Sequence, residues 1–258
     1  MIYSYMKKTF YSQLGEDLFI YRNFINKERK DGMYIELGAC DGILFSNTLF
    51  FEKELKFHGI LIEPVKKFFI KLLQNRYYNI CYNCAISTQK EDIEILVNGA
   101  VSGIKKYMKD TFVQSWHRRS PVKRVKTTTL SSILHNHKIK YVDFMSLDVE
   151  GGELDVLQTI DFQATPMYLI CIELDAHNEK KNIECRKLLK TNGFVQKSKI
   201  NINEFWVNEN YFRKELLFDD SQKNTFSGNM DDYGNHIYLA RHCKKEIEKE
   251  IIHAEKSL

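Results

Sequence analysis

The 258-residue sequence is poor in the residues that break structure, with 3 prolines and 12 glycines. That excludes collagen-like and linker-rich designs. No apolar run approaches the roughly 18 residues a membrane helix needs; the longest, such as 167–172, are strand-sized. The N-terminus, Met1-Ile2-Tyr3-Ser4-Tyr5-Met6-Lys7-Lys8, lacks the apolar stretch of a signal peptide. A cytoplasmic location is therefore expected. Net charge is only +4, a weak bias toward anionic partners and well short of a nucleic-acid-binding signature. Lysine outnumbers arginine about three to one, as an A/T-rich genome would write it, so the lysine count is not read as function. There is no internal repeat and no low-complexity tract. Six cysteines are scattered at 40, 81, 84, 171, 185 and 243, and without a signal they read as reduced thiols. Cys81-Tyr82-Asn83-Cys84 has CxxC spacing, but it lies in a strand-like run, where an offset of three puts the thiols on opposite faces. No second CxxC completes a zinc site.

What is present is a globular composition, 43% hydrophobic, 28% charged and 13% aromatic. Short apolar runs alternate with amphipathic stretches, which is the α/β pattern. Strands are expected at 33–37, 59–63, 79–85, 141–147 and 167–174. Helices are expected at 46–57, from Pro64 to about 76, at 130–137, at 153–160 and at 182–191, where Gly193 suits the C-terminal cap. Residues 91–126 are less regular, with a β-like piece at 93–97. Two late strands, 194–200 and 204–207, should pair. The reading is a Rossmann-like, doubly wound, mostly parallel sheet with an antiparallel late strand. Its expected organisation is an N-terminal segment (1–32) packing on the main domain, that domain at 33–212, and an extension (213–258) ending in an amphipathic helix at 244–256.

Ligands in such sheets bind beyond the carboxyl ends of the strands. The first strand ends in Glu36-Leu37-Gly38-Ala39-Cys40-Asp41-Gly42. A third glycine of the GxGxxG fingerprint is missing, which disfavours nicotinamide binding. Glycine lets a ligand approach the backbone closely, and the acids beside it suit a cationic ligand rather than a pyrophosphate. Glu63 ends the second strand, where a carboxylate can accept both hydroxyls of a ribose. Together these features describe a site for an adenosyl group carrying an amine and a sulfonium, which is S-adenosylmethionine.

The same segments resemble the FkbM-type methyltransferases over residues 11–207. Tyr11-Ser12-Gln13-Leu14-Gly15-Glu16-Asp17 looks like that family's SQxGED signature. Residues 34–42 look like its cofactor loop, followed by Ser46-Asn47-Thr48. Leu61-Ile62-Glu63-Pro64, Asn75-Arg76, Ser102-Gly103-Ile104 and Thr129-Leu130 follow in order. Ser146-Leu147-Asp148-Val149-Glu150-Gly151-Gly152-Glu153 looks like the DVEGxE signature. The resemblance implies a class I methyltransferase fold and dependence on S-adenosylmethionine. It also implies an acceptor hydroxyl, with a sugar of a glycan or glycoconjugate preferred. It assigns the cofactor to Glu36, Gly38, Ala39, Asp41, Asn47, Glu63 and Pro64, with Gln13 and the loop after Ala85 closing over it. Cys40 stands where the family varies.

An alcohol acceptor loses its proton as the new bond forms, which calls for a base within hydrogen-bond reach. Asp148 is the first candidate. Glu150, two residues on, shares its side if the extended backbone persists, and Glu173 joins from the fifth strand's end, with Asp175 nearby. Asp148 and Glu173 with Glu150 are also candidate ligands for magnesium or manganese, which would orient a diol and lower its pKa. Glu153 and Asp155 read as helix-start acids favoured by the macrodipole. His177 is the best-placed histidine; His135 and His137 fall on what reads as a surface helix, and His117 carries no constellation. Residues 117–126 hold five formal positive charges. They suit an acidic or nucleotide-linked acceptor, or the protection of an edge strand. Trp116 and Phe112 suit stacking on a sugar ring or packing in the core. Two other readings stay open. One is an RNA ribose 2′-O-methyltransferase, disfavoured because no lysine is evident beside the strand-end carboxylates. The other is a cofactor-binding interaction module without turnover. A homo-oligomer is left open.

Overall fold

The computed structural model describes residues 9–25 and 30–211. Its first half contains α1 (Glu16–Asn23), β1 (Met33–Leu37), α2 (Leu49–Leu55), β2 (His58–Ile62), α3 (Lys66–Asn75), β3 (Ile80–Tyr82), β4 (Ala85–Ile86), β5 (Ile93–Leu96), β6 (Gly103–Ile104) and α4 (Asp110–Trp116). There follow β7 (Val122–Val125), β8 (Thr127–Thr128), α5 (Leu130–Asn136), β9 (Val142–Leu147), α6 (Glu153–Gln158), β10 (Met167–Glu173), α7 (Glu179–Thr191), β11 (Phe194–Ile200) and β12 (Asn203–Asn208).

Seven strands form one sheet in the order β11-β12-β10-β9-β1-β2-β3. All neighbours from β10 to β3 run parallel, and β12 is antiparallel to both β10 and β11. This is the doubly wound sheet with an antiparallel late strand expected above. Every residue of β1 and β9 is buried, which is why these strands read as continuous apolar runs. Side chains alternate between two cores. Ile35 and Leu37 join Ile60, Met145 and Ile170 on one face, while Tyr34 joins Phe50, Leu61 and Phe144 on the other. Cys81 lies in the second core and Cys84, beyond the end of β3, in the first. From β1 the order proceeds through β2 on one side and β9 on the other, so the crevice of this topology opens at the carboxyl ends of β1 and β9.

Residues 93–125, irregular in the sequence, form a three-stranded antiparallel sheet, β6-β5-β7, whose chain also carries α4. Residues 9–25 pack on the second of these cores. Phe10 stacks on Phe50 at 4.4 Å, Phe19 packs on Phe205 at 4.8 Å, and Asn203 Nδ2 donates to Glu16 Oε1 at 2.7 Å. Among the described residues no helix is long and apolar enough to cross a membrane. The expected extension and its helix at 244–256 lie outside the described residues.

Four expectations need correction. The helix expected at 46–57 begins only at Leu49, because Ser46, Asn47 and Thr48 turn inward to bond Glu36. The strand expected at 79–85 breaks after Tyr82, and β4 leaves to pair with β8. The helix expected at 182–191 starts at Glu179, capped by Asn178, whose side chain accepts from Lys181 N. His137 is buried rather than on a surface helix, and its Nε2 lies 2.9 Å from the Tyr82 hydroxyl.

Candidate active site

Beyond the carboxyl ends of β1, β2, β9 and β10 lies a cleft of about 550 Å³, within the roughly 300–1,000 Å³ usual for small-molecule sites. The first loop enters it at Gly38, which has φ +78°. A Cβ there would stand 1.9 Å from the Asp148 carbonyl oxygen, so only glycine lets this loop pass the end of β9. Glu63 holds the loop from the other side. Its Oε2 accepts Cys40 N at 2.9 Å and its Oε1 accepts Val65 N at 2.7 Å. Burial pushes its pKa up to about 8, against the pull of those two donors.

Glu36 lines the cleft, but its carboxylate is spent on the chain. Oε1 accepts Asn47 N at 2.8 Å, and Oε2 accepts the Ser46 and Thr48 hydroxyls at 3.0 and 2.6 Å. Beneath them Arg76 is fully buried. Its guanidinium donates to Glu52 Oε2 (2.6 Å), Gly42 O (2.9 Å), Ser46 Oγ (3.1 Å), Thr48 Oγ1 (2.9 Å) and the Tyr34 hydroxyl (2.6 Å). One arginine thus binds the loop after β1, the start of α2 and Tyr34 of β1. Two residues assigned to the cofactor by resemblance do not line the cleft. Ala39 packs into the core, and Asp41 turns away to accept Ile43 N and Leu44 N, closing its own turn. Gln13, Gly38, Asn47, Glu63, Pro64 and Ala85 do line it. Asn47 donates to Ser146 Oγ at 2.9 Å, and its buried Oδ1 has no partner among the described residues.

Across the cleft, Asp148, Glu150 and Glu173 bring carboxylate oxygens within 4.8 Å of one another. The extended backbone does not persist to Glu150, contrary to expectation. Glu150 has φ +54°, a left-handed conformation unfavourable for a side-chain-bearing residue. Gly103 presses against it, since a Cβ on Gly103 would sit 2.8 Å from Glu150 Cβ. The turn is pinned by Glu153, whose Oε1 accepts Gly151 N at 3.0 Å and whose Oε2 pairs with the buried Lys181. Lys181 thus supports the turn from behind through Glu153 and is not among the residues that line the cleft. Its α7 position carries no motif, so only tertiary structure reveals it. Burial, then the neighbouring acids Glu153 and Glu16, pushes Asp148 up to about 7. Burial and then Asp148 push Glu150 up to about 8 and Glu173 up to about 9.

These acids give the stability of the protein a definite pH dependence. Between the ordinary carboxylate range and pH 9, the folded chain holds protons that the unfolded chain has released. Stability must then fall as pH rises through that window. Thermal unfolding should show the melting temperature dropping by roughly 5 °C from pH 6 to pH 9, with a shallower slope in Asp148→Asn. A melting temperature that rises over this range would contradict it.

The outer wall comes from the small sheet and α4. His177 lines the cleft with its ring edge-on to Phe112 at 5.2 Å. His117, which carries no constellation in the sequence, is buried and clasps this wall together. Its Nε2 lies 2.8 Å from Val101 O and its Nδ1 3.0 Å from Ser120 Oγ.

The chain resembles known proteins to different depths. Its fold is similar to that of Aeropyrum pernix fibrillarin in complex with natively bound S-adenosyl-L-methionine, at 12% identity and a TM-score of 0.39, over 76% of this chain and 74% of that one. It is also similar to the mitomycin 7-O-methyltransferase MmcR, at 10% identity and a TM-score of 0.34, over 75% of this chain and 52% of that one. No curated protein matches it. The model of the methyltransferase FkbM domain matches residues 36–196, a span that runs from Glu36 through Glu63 and the Asp148–Glu150–Glu173 cluster. On that match the chain belongs to the FkbM methyltransferase family.

Proposed function

We propose that the cleft binds S-adenosylmethionine and that the chain transfers its methyl group to a hydroxyl on a sugar of a glycan or glycoconjugate. One observation carries the reading: the cleft wall is rich in acceptors that lack donors. Asn47 Oδ1 and Asp148 Oδ1 are buried without hydrogen-bond partners among the described residues, and Glu63 lines the same cleft with its carboxylate held in place. Buried acceptors without partners are costly, and a ligand with an amine, a positive sulfonium and ribose hydroxyls answers that need. When bound, the cofactor supplies an electrophilic methyl group.

The chain's own residues do the rest. Glu63 faces the ribose hydroxyls, Asn47 takes a donor of the amino-acid end, and Gly38 leaves room for the ligand against the backbone. Asp148 is the base that takes the acceptor's proton, in a site where alignment supplies much of the rate. Glu150 and Glu173 hold further acceptor hydroxyls. The basic run supports this acceptor over RNA, because β7 is an exposed edge strand and Lys126 at its end pairs with Asp92 at 3.5 Å. Calorimetric titration should show S-adenosylhomocysteine binding that weakens by roughly 10- to 100-fold in Glu63→Ala and persists in Asp148→Ala. Absence of binding to the wild-type chain would overturn the reading.

A divalent cation is a second element of the proposal, favoured by the three converging carboxylates and the unpartnered Asp148 Oδ1. Oxygen ligands of this kind suit magnesium or manganese, and such an ion would lower the pKa of an acceptor hydroxyl. Turnover should be lost in EDTA and restored by either ion. Indifference to EDTA would leave the carboxylates as acid–base groups alone.

A further inference from the structure

Trp116 is an exposed aromatic in the wall of the cleft. It is 54% exposed, and no ring stacks on it among the described residues. Its main chain is pinned, since its carbonyl accepts Asn98 Nδ2 at 2.6 Å and the next residue is the His117 clasp. Phe112 and Trp116 are four apart on α4, hence on one helical face, and both line the cleft. Phe112 is buried and touches His177 in the loop after β10, the strand that ends in Glu173. His177, Phe112 and Trp116 therefore line the same cleft as the acid cluster.

We propose that Trp116 is the platform on which a saccharide ring of the acceptor stacks, positioning a hydroxyl toward Asp148. The inference rests on the sugar-acceptor reading given above. Carboxylates that accept hydroxyl protons at one end and a flat apolar ring at the other match the two faces of a pyranose, its hydroxyl edge and its C–H face. A preorganised tryptophan offers large contact area with little ordering entropy left to lose. The loop at Gly99–Val101, also in the cleft wall, is tied to the Trp116 segment through His117 and Asn98.

The chain contains two tryptophans, and Trp206 is fully buried, so fluorescence reports the platform separately. Acrylamide should quench one tryptophan and spare the other, and the quenchable fraction should vanish in Trp116→Phe. Labelled protein saturated with S-adenosylhomocysteine would then be applied to an oligosaccharide array. Wild type should bind a subset of glycans. Trp116→Ala should weaken that binding about tenfold, and Trp116→Phe should retain most of it. The bound glycan should shield Trp116 from acrylamide, while S-adenosylhomocysteine alone should not. Unchanged glycan binding in Trp116→Ala, or no glycan bound by wild type, would overturn the proposal. Calorimetry on the same preparation separates the two failures. If S-adenosylhomocysteine also fails to bind, the reading of the cleft is wrong; if it binds and no glycan does, the sugar-acceptor reading fails with the platform; if wild type and Trp116→Ala bind glycans alike, only the platform is wrong.

Discussion

Asp148→Asn should lower methyl transfer by about 10²- to 10⁴-fold, the usual contribution of a positioned base, while S-adenosylhomocysteine affinity stays within about threefold. The expectation rests on how the residue is held. Its backbone N–H reaches Leu37 O at 3.4 Å and its carbonyl lies against Gly38, so the end of β9 fixes its main chain whatever the side chain is. An amide of the same shape keeps that placement and cannot take a proton. Its carboxylate is also the centre of the cluster, since Glu150 and Glu173 each feel it as their strongest charged neighbour. Steady-state rates of Asp148→Asn, Glu150→Gln and Glu173→Gln, measured side by side from pH 6 to pH 9, decide the assignment. Full activity in Asp148→Asn would move the base to whichever of the other two carries the loss.

Arg76→Met should unfold the protein far more easily, by roughly 3–5 kcal/mol and on the order of 10 °C in melting temperature. The charge is buried, and so are the groups it satisfies. Removing it leaves Glu36 and Glu52 without their cation, and the Tyr34, Ser46 and Thr48 oxygens and the Gly42 carbonyl without its N–H donors. Arg76→Lys should recover only part of the loss, because one ammonium cannot reach five partners spread around a planar fork. Adding Glu52→Gln to Arg76→Met should be less than additive, since the two residues share one interaction. Urea unfolding of the four proteins gives the cycle. A loss below about 1 kcal/mol would place Arg76 among ordinary surface pairs.

The main sheet was legible because its strands are buried on both faces, so that 33–37, 142–147 and 167–173 stand out as apolar runs closed by glycine or acid. The acids at those ends were legible because ligands of such sheets bind beyond the carboxyl ends of the strands, which is where Glu63, Asp148 and Glu173 fall. What stayed hidden depends on partners far along the chain. Arg76 stood in the sequence only as part of a family segment, and its burial depends on the hydroxyls of residues 46 and 48 and the tyrosine of β1. Lys181 likewise gains its meaning from Glu153, which is 28 residues away. Ala39 and Asp41 sit in the right motif, yet a loop alternates in and out, and spacing alone did not tell which of its residues turn toward the cleft. The small sheet at 93–125 was hard to see because its strands are short and one is exposed along its length.

Glu150 carries a further consequence, for selection rather than chemistry. Its left-handed backbone would suit glycine or asparagine better, and its carboxylate crowds two others. A population of variants chosen only for heat tolerance would drift away from glutamate at this position, gaining stability as it lost the site. With the role proposed for Glu150, position 150 is one where stability and turnover pull the sequence in opposite directions.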